Sequence, residues 1–399
     1  MRPVQVISAL TALVVVGVVA TTFNASAAAH GCAVAYESSS QWPNGVTCTG
    51  GVTATPTVPS SSSPTPTGVL SQVQTAGRVK VANDAVQYSW PGVYFEGRFR
   101  GTGVGLVLND SASDYDIQVD GATVATLVKP GRTTRWITNL PNGEHSVRLV
   151  KRNDSPWATS AFGGLVAAPG GSILSPPAAR RRQIEFIGDS LTVGYGNLST
   201  TRTCTGDQLA LRTNTDVSYG ALAARHLDAD YQVNAYSGLG MVRNYNGGSP
   251  SVNYRTYYDR ALLNVNGDVW QKPATWQPQV VVIHLGTNDF STPVNGSEQW
   301  TPDSLAAAYR AAYIAFIGKL RARYDPTTMI VVAGTKLFGD QTRQVVQAVN
   351  SRGDSRVRHW QLDEAGLDLR GCDWHYSAHD DQLIATQLGT FLGTLPLTW

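Results

Sequence analysis

Residues 186–196 read Phe-Ile-Gly-Asp-Ser-Leu-Thr-Val-Gly-Tyr-Gly. An apolar run ends here in a sharp turn that carries Ser190, which predicts a serine hydroxyl at the end of a buried strand. Near the C-terminus, Cys372-Asp373-Trp374-His375 supplies the aspartate and the histidine that a nucleophilic serine needs. The chain order Ser, Asp, His is also that of hydrolases built on an α/β sheet. Together the two stretches indicate a candidate esterase.

Apolar runs alternate with helical segments over residues 176–399. The clearest helix begins at Thr301-Pro302 and runs to about Tyr324, because Thr caps a helix and Pro is tolerated in its first turn. The alternation predicts a doubly wound parallel sheet with helices on both faces and a site at the carboxyl ends of its strands. The runs are Ile184–Ile187, Tyr231–Ala235, Val280–Leu285, Met329–Ala333 and Val357–Leu362.

Residues 69–175 have the pattern of an all-β domain. Short alternating runs such as Val93–Phe99 and Tyr115–Val119 are separated by turn signals such as Asp120-Gly121. Several strands at this spacing predict a sandwich or jelly roll.

The first 68 residues divide into three segments. Residues 1–29 have the charged start, the apolar run and the small-residue cleavage pattern of a secretory signal. Residues 30–52 form a short segment with two cysteines, and residues 53–68 form a Pro/Ser/Thr linker. No later segment is apolar enough to span a bilayer. The mature protein is therefore expected to be secreted and extracellular, without a membrane partner.

The charges and the cysteines exclude some classes of function. The net charge is +2, and Arg180-Arg181-Arg182 is the longest block of like charge, so a nucleic-acid partner is not expected. The four cysteines allow three pairings, of which we favour Cys32–Cys48 and Cys204–Cys372. A zinc site competes for these residues, but the chain has no Cys-x-x-Cys pair.

Acyl transfer needs a nucleophile and a base, for which we predict Ser190 and His375. Asp373 is placed to orient the imidazole. Other interpretations remain open, since Asp189 or Ser190 could simply cap a helix, and Asp373 and His375 could be a surface aspartate and a half-buried histidine beside Trp374. The residues His379, Asp380 and Asp381 compete for the base and orienting roles, although helix capping suits them better.

Donors for the oxyanion are expected at the ends of the neighbouring strands. The backbone N–H of Ser190, the backbone N–H of Gly238 and the side-chain amide of Asn288 are the candidates. Gly240 could replace Gly238, because Ser-Gly-Leu-Gly offers two glycines. Residues expected to contact substrate are Trp374, Gly240 and Asp289, with packing as the alternative for Trp374.

These blocks resemble those of the SGNH (GDSL) hydrolases, namely Gly188–Leu191, Gly238, Gly286–Asp289 and Asp373–His375. More narrowly, Ser89–Phe99, Val119–Gly121 and Ser237–Asn244 resemble carbohydrate esterase family 2 over roughly residues 75–395. The segment 31–48 resembles the opening of a family 2 cellulose-binding module. It is too short to fold unaided, so we interpret it as a remnant.

The resemblance implies an SGNH-type sheet preceded by a jelly-roll sandwich. It also implies an esterase that removes O-acetyl groups from acetylxylan or acetylated glucomannan through an acyl-enzyme on Ser190. It implies no metal or organic cofactor, and a monomer is expected. Two alternatives stay open: a broad-specificity or lipase-like esterase, and a glycan-binding protein with little or no turnover.

Overall fold

The computed structural model describes residues 68–399. The predicted signal, the cellulose-binding remnant, nearly all of the linker and the Cys32–Cys48 pair lie outside these residues. Within them, no helix combines the length and the apolarity that crossing a membrane requires. That part of the chain also brings together no group of three His, Cys, Asp or Glu side chains that could hold a metal ion.

The N-terminal part is a sandwich of two antiparallel sheets. One sheet has the order β1-β4-β9-β6-β7, with β11 paired to β4, and the other has the order β2-β3-β10-β5-β8. In β4, buried side chains alternate with more exposed ones over the second half of the strand, as in a sheet with one face on the core. The strands are β1 (Val73–Gln74), β2 (Lys80–Ala82), β3 (Ala85–Tyr88), β4 (Tyr94–Gly101), β5 (Val104–Asp110), β6 (Asp114–Val119), β7 (Ala122–Val128), β8 (Gly131–Ile137), β9 (Gly143–Lys151), β10 (Ser160–Ala167) and β11 (Ser172–Ile173).

The C-terminal part is a five-stranded parallel sheet of order β13-β12-β14-β15-β16. Helix α3 packs on α8, and α6 packs on α7. The elements are β12 (Arg182–Gly188), α1 (Ser190–Val193), α2 (Gly206–Arg212), α3 (Tyr219–His226), β13 (Ala229–Ala235), α4 (Tyr254–Tyr257), β14 (Val280–His284), α5 (Thr287–Phe290), α6 (Pro302–Arg323), β15 (Met329–Gly334), α7 (Gly339–Asn350), β16 (Val357–Gln361) and α8 (Ala378–Gly393).

The predicted fold class is confirmed. Each of the five apolar runs forms a strand of the parallel sheet. Strands β14 and β15 are buried at every residue, because helices cover both faces of a sheet whose strands are rich in Val and Ile. The predicted start of α6 is also confirmed, since Thr301 and Ser304 form a capping box and Pro302 is the first residue of the helix.

Buried polar contacts join the sandwich to the parallel sheet. Arg78, just before β2, contacts Glu185 of β12 with an Nη2–Oε1 distance of 2.7 Å, and both side chains are fully buried. The guanidinium also lies 4.4 Å from the ring centroid of Tyr258 and 4.6 Å from that of Trp270. These contacts connect the segment before β2 to strand β12 of the parallel sheet.

Candidate active site

Ser190 lies where β12 ends and α1 begins, at the carboxyl edge of the parallel sheet. Asp189 is the N-cap of α1, and its carboxylate accepts a hydrogen bond from Leu191 N at 3.1 Å. Of the two residues that could cap the helix, Asp189 is therefore the one that does so. Ser190 is only 7% exposed, and its hydroxyl is free to face the C-terminal loop.

His375 lies directly against this serine. Its Nε2 is 2.8 Å from Ser190 Oγ, although 185 residues separate the two along the chain. Its Nδ1 is 2.9 Å from the carbonyl oxygen of Cys372 and 3.2 Å from that of Asp373. A carbonyl oxygen only accepts, so Nδ1 carries the proton and Nε2 is left to accept one from Ser190. This is the tautomer that a general base needs.

The Asp373 carboxylate makes no hydrogen bond to His375, so the structure does not support its predicted role in orienting the imidazole. That carboxylate accepts a hydrogen bond from the hydroxyl of Tyr195 at 3.1 Å. The reason is the backbone of the turn, in which Asp373 and Trp374 both have left-handed φ values of 52° and 65°. This turn exposes the Asp373 side chain and brings the two carbonyl oxygens to the imidazole.

We therefore expect Asp373→Asn to lose less than about tenfold in kcat, whereas removing the carboxylate of a true triad costs about 10⁴-fold. The groups that hold Nδ1–H are main-chain carbonyls, which the substitution leaves in place. Hydrolysis of 4-nitrophenyl acetate by the two enzymes gives the ratio. A loss of about 10³-fold or more would restore the carboxylate as the orienting group.

A disulfide joins the two halves of the site. The predicted Cys204–Cys372 bond is confirmed, with the two Cα atoms 5.6 Å apart. It ties the segment after α1 to the turn that precedes His375. Gly196 is required beside it, because a Cβ there would lie 2.4 Å from Cys372 Cβ, and its φ of +60° also favours glycine.

Three candidate N–H donors follow the carboxyl ends of three neighbouring strands, β12, β13 and β14. No acceptor is found within residues 68–399 for the backbone N–H of Ser190 or of Gly238. Gly238 has φ of +81°, and a Cβ there would meet no atom within 4 Å, so the backbone is open in front of it. Asn288 is buried, and its Nδ2 donates to Leu239 O at 3.0 Å. An amide nitrogen has two hydrogens, so this bond orients the group and leaves one hydrogen for a ligand.

Gly240 and Asp289, which were expected to contact substrate, are both buried and hydrogen-bonded within the protein. Gly240 N donates to Asn244 Oδ1 at 3.2 Å, and a Cβ on Gly240 would collide with Arg243 O. Asp289 is fully buried and accepts hydrogen bonds from three successive backbone N–H groups at 2.8–2.9 Å. Burial outweighs these bonds and raises the pKa of Asp289 to about 6. The two residues shape the loop after Gly238, and the geometry favours Gly238 over Gly240 as a donor.

The other competitors for the base and orienting roles lie in helix α8. Asp380 forms a capping box with Ser377, so it has the helix-capping role that the sequence favoured for it. Asp381 is buried and accepts from Asn197 Nδ2 at 2.8 Å and from Tyr219 N at 2.9 Å. Both carboxylates therefore join loops of the sheet. His379 is exposed in the first turn of the same helix.

Two aromatic residues lie beside His375: Tyr195 in space and Trp374 directly before it in the sequence. Tyr195 packs on the imidazole with ring centroids 4.3 Å apart. Trp374 is 64% exposed, and the Arg202 guanidinium lies 3.7 Å from the centroid of its ring. An indole that is held by a cation and open to solvent beside the site is available to a ligand. Contact between Trp374 and substrate stays a prediction.

Two residues beside the Ser190–His375 pair, Tyr195 and Asp154, were not predicted from the sequence. Tyr195 was visible, because it lies in the Gly-Tyr-Gly that ends the first quoted stretch. Asp154, in the loop between β9 and β10, had no local signal. Its Oδ2 accepts from Ser237 N at 3.1 Å, so the sandwich supports the residue that precedes Gly238. Only the packing of the sandwich on the sheet brings these two together.

The electrostatic environment favours a neutral His375. Burial lowers the pKa of His375 below its ordinary range. The carbonyl oxygens of the turn and the charges of Asp373 and Asp154 oppose this effect. Only the neutral imidazole can take the Ser190 proton, so activity is lost as the pH falls through this lowered pKa. We expect the acid limb of kcat/KM to have its midpoint below about 6.5. A midpoint at or above about pH 7 in a pH–rate profile would contradict the arrangement.

A serine hydroxyl bonded to an imidazole, with three N–H donors at the carboxyl edge of a parallel sheet, defines a serine hydrolase of the SGNH type. Two family models match the chain. Residues 75–177 match "Carbohydrate esterase 2 N-terminal", and residues 186–381 match the "GDSL-like Lipase/Acylhydrolase family".

Characterised relatives share both domains. An acetylxylan esterase / glucomannan deacetylase of Cellvibrio japonicus is 41% identical over 323 residues, which cover 79% of this chain and 89% of that protein. A solved carbohydrate esterase, described as having an active site with divergent catalytic and non-catalytic binding functions, is 38% identical. It covers 81% of this chain and 98% of its own, with a TM-score of 0.74.

A family two carbohydrate esterase from Clostridium thermocellum, solved in complex with cellohexaose, is 30% identical with a TM-score of 0.69. That match covers 81% of this chain and 100% of the other. The chain therefore belongs to carbohydrate esterase family 2. It is a carboxylic ester hydrolase, which confirms the predicted class of enzyme.

Proposed function

We propose that this esterase removes O-acetyl groups from plant cell-wall polysaccharides, acetylxylan and acetylated glucomannan, through an acyl-enzyme on Ser190. The observation that carries the mechanism is the 2.8 Å contact between Ser190 Oγ and His375 Nε2. The substrate class is supported by the activity named for the Cellvibrio japonicus relative.

In the acylation step, Ser190 Oγ attacks the carbonyl carbon of the acetyl ester, and His375 Nε2 takes the hydroxyl proton. Negative charge develops on the former carbonyl oxygen. The N–H groups of Ser190 and Gly238 and the free hydrogen of the Asn288 amide donate to it. The resulting imidazolium is stabilised by the carbonyl oxygens of Cys372 and Asp373, which accept its Nδ1–H.

The tetrahedral intermediate collapses when the bond between the acetyl carbon and the sugar oxygen breaks. His375 gives its proton to that oxygen, and the sugar leaves as an alcohol. A water molecule then attacks the acetyl-serine while His375 takes one of its protons. A second collapse returns the proton to Ser190 and releases acetate.

The surroundings of the pair favour a short acyl group on a sugar. Tyr195 and Trp374 supply aromatic faces, and the carboxylates of Asp154 and Asp373 lie nearby. Aromatic faces combined with a few polar groups suit a sugar, which has apolar C–H faces and hydroxyl edges. A lipase-like enzyme would instead need a long apolar channel for the acyl chain.

We expect kcat/KM for 4-nitrophenyl esters to fall steadily from acetyl to butyryl to octanoyl. The comparison uses one leaving group, so the ratios report the acyl site alone. The same enzyme is then given acetylated glucomannan and acetylated xylan, and free acetate is measured. A preference for the octanoyl ester would favour the lipase-like alternative.

We also propose that the enzyme acts outside the cell. The support is residues 1–29, which have the three regions of a secretory signal. Sequencing the N-terminus of protein recovered from the culture medium tests this. The expected mature chain begins after the small residues Ala25-Ser26-Ala27. Recovery of the uncleaved chain from the cells alone would contradict export.

A further inference from the structure

We propose that the sandwich domain supplies a sugar-binding subsite beside the catalytic pair, with Trp157 as its aromatic platform. The subsite would bind a sugar residue adjacent to the one that carries the acetyl group. This inference rests on the proposed function, because it assigns the part of the enzyme that recognises the polysaccharide chain.

A cleft of about 330 Å³ lies where the sandwich meets the parallel sheet. This volume is at the lower end of the range of small-molecule sites, which is about 300–1,000 Å³. The sandwich and the α/β part each contribute to its walls. The lining residues that matter here are Asn153, Asp154 and Trp157 from the sandwich and Tyr195, Tyr236 and Ser237 from the α/β part.

The cleft adjoins both His375 and the predicted oxyanion donor Gly238. Tyr195 lines it and packs on the His375 imidazole with ring centroids 4.3 Å apart. Ser237 lines it and directly precedes Gly238. A polymer whose acetylated sugar lies at Ser190 therefore has a neighbouring sugar within reach of this cleft.

The loop between β9 and β10 presents Trp157 to solvent. The side chain is 71% exposed, which is unusual for so large an apolar group that is not needed for packing. One exposed aromatic alone would mean little. This ring, however, belongs to a cleft that contains two tyrosines, Tyr195 and Tyr236.

The loop is held firmly on both sides of Trp157. Asn153 Oδ1 accepts from Asp114 N at 3.0 Å, and Ser155 Oγ lies 2.6 Å from Ser113 Oγ. After the tryptophan, the carbonyl of Ala158 accepts from Ser89 Oγ at 2.9 Å. A ring presented on an anchored loop loses little conformational entropy when it binds a ligand. Trp157 is therefore suited to stack on the apolar face of a sugar ring.

The polar groups of the cleft suit the edge of the same sugar. Asp154 uses one carboxylate oxygen to bind Ser237 N at 3.1 Å and has remaining acceptor capacity for hydroxyl groups. Tyr236 also lines the cleft, and a tyrosine hydroxyl can donate or accept a hydrogen bond. A neutral ligand rich in hydroxyls matches this combination of rings and acceptors better than an acyl chain does.

The experiment compares Trp157→Ala with Trp136→Ala. Trp136 is a second exposed tryptophan of the sandwich, at 41% exposure on β8 and outside the lining of the cleft. Both variants and the wild type are assayed on 4-nitrophenyl acetate and on partially acetylated manno-oligosaccharides of increasing length. Trp157→Phe, which keeps an aromatic ring, is included to separate stacking from folding.

We expect Trp157→Ala to hydrolyse 4-nitrophenyl acetate within about twofold of the wild-type rate, since the aryl ester has no second sugar to bind at Trp157. On the longer oligosaccharides its kcat/KM should fall about tenfold, mainly through KM. Trp157→Phe should retain most of the wild-type value, and Trp136→Ala should match the wild type on both substrates.

Equal losses on both substrates, or no loss on the oligosaccharides, would overturn the subsite. A change of oligomeric state in light scattering, with KM unaltered, would instead assign Trp157 to an interface between copies. Failure of the proposed function looks different, because the wild type itself would then release no acetate from the oligosaccharides while still cleaving the aryl ester.

Discussion

Replacement of Ser190 by alanine should reduce ester hydrolysis by about 10⁴–10⁶-fold, the range found when a serine hydrolase loses its nucleophile. The variant retains the N–H donors and the imidazole but has no oxygen to form the acyl-enzyme. The fold should be unaffected, because Ser190 Oγ contacts His375 and the helix cap is supplied by Asp189. Turnover of 4-nitrophenyl acetate gives the ratio directly.

The matched control for this variant is Ser351→Ala. Ser351 lies just after α7, and its hydroxyl is exposed and donates to Ala348 O. It should retain wild-type activity, and both variants should unfold at the wild-type temperature. If Ser190→Ala kept about a tenth of the wild-type rate or more, another residue would be the nucleophile.

Asn288→Ala is expected to lower kcat by about 10²–10³-fold with little change in KM, as for a donor that acts mainly on the oxyanion. Asn288 Nδ2 is fixed by its bond to Leu239 O, so its second hydrogen points at a defined position without further ordering. Truncation therefore removes a preorganised donor to the oxyanion.

Asn288→Asp is a more specific test than Asn288→Ala, because it keeps the shape of the side chain and replaces the N–H donor by an acceptor. A carboxylate there would repel the oxyanion, so this variant should be at least as slow as Asn288→Ala. Kinetic parameters for both are measured on 4-nitrophenyl acetate. A rise in KM with kcat preserved in either variant would assign Asn288 to substrate binding instead.

Periodicity predicted the fold well, because the strands of a parallel sheet are buried on both faces and so appear as continuous apolar runs. Val280–His284 and Met329–Gly334 are the clearest examples. Ser190 and the Asn288 amide followed from the same pattern, since each lies just after such a run. His375 does not follow an apolar run; it was predicted from Asp373-Trp374-His375 near the C-terminus and from the chain order Ser, Asp, His.

The roles of Asp373 and Asp289 could not be predicted, because the sequence does not show which way a loop side chain points. The left-handed backbone at Asp373 and Trp374 directs the Asp373 carboxylate towards Tyr195. The buried Asp289 carboxylate instead accepts from the backbone N–H groups of residues 241–243. Asp154 was missed for a different reason. It lies 83 residues before Ser237 and meets it only through packing of the sandwich on the sheet.

The transfer of acetyl groups from polysaccharide to water by Ser190 can be followed by time-resolved NMR. Acetylated glucomannan and acetylated xylan are incubated with the wild type or with Ser190→Ala. With the wild type, polymer-bound acetyl signals should decline and free acetate should rise, and with Ser190→Ala neither should change. Two results would contradict this role of Ser190. In one, the wild type cleaves 4-nitrophenyl acetate but leaves the acetyl groups on the polymer; in the other, both enzymes release equal amounts of acetate.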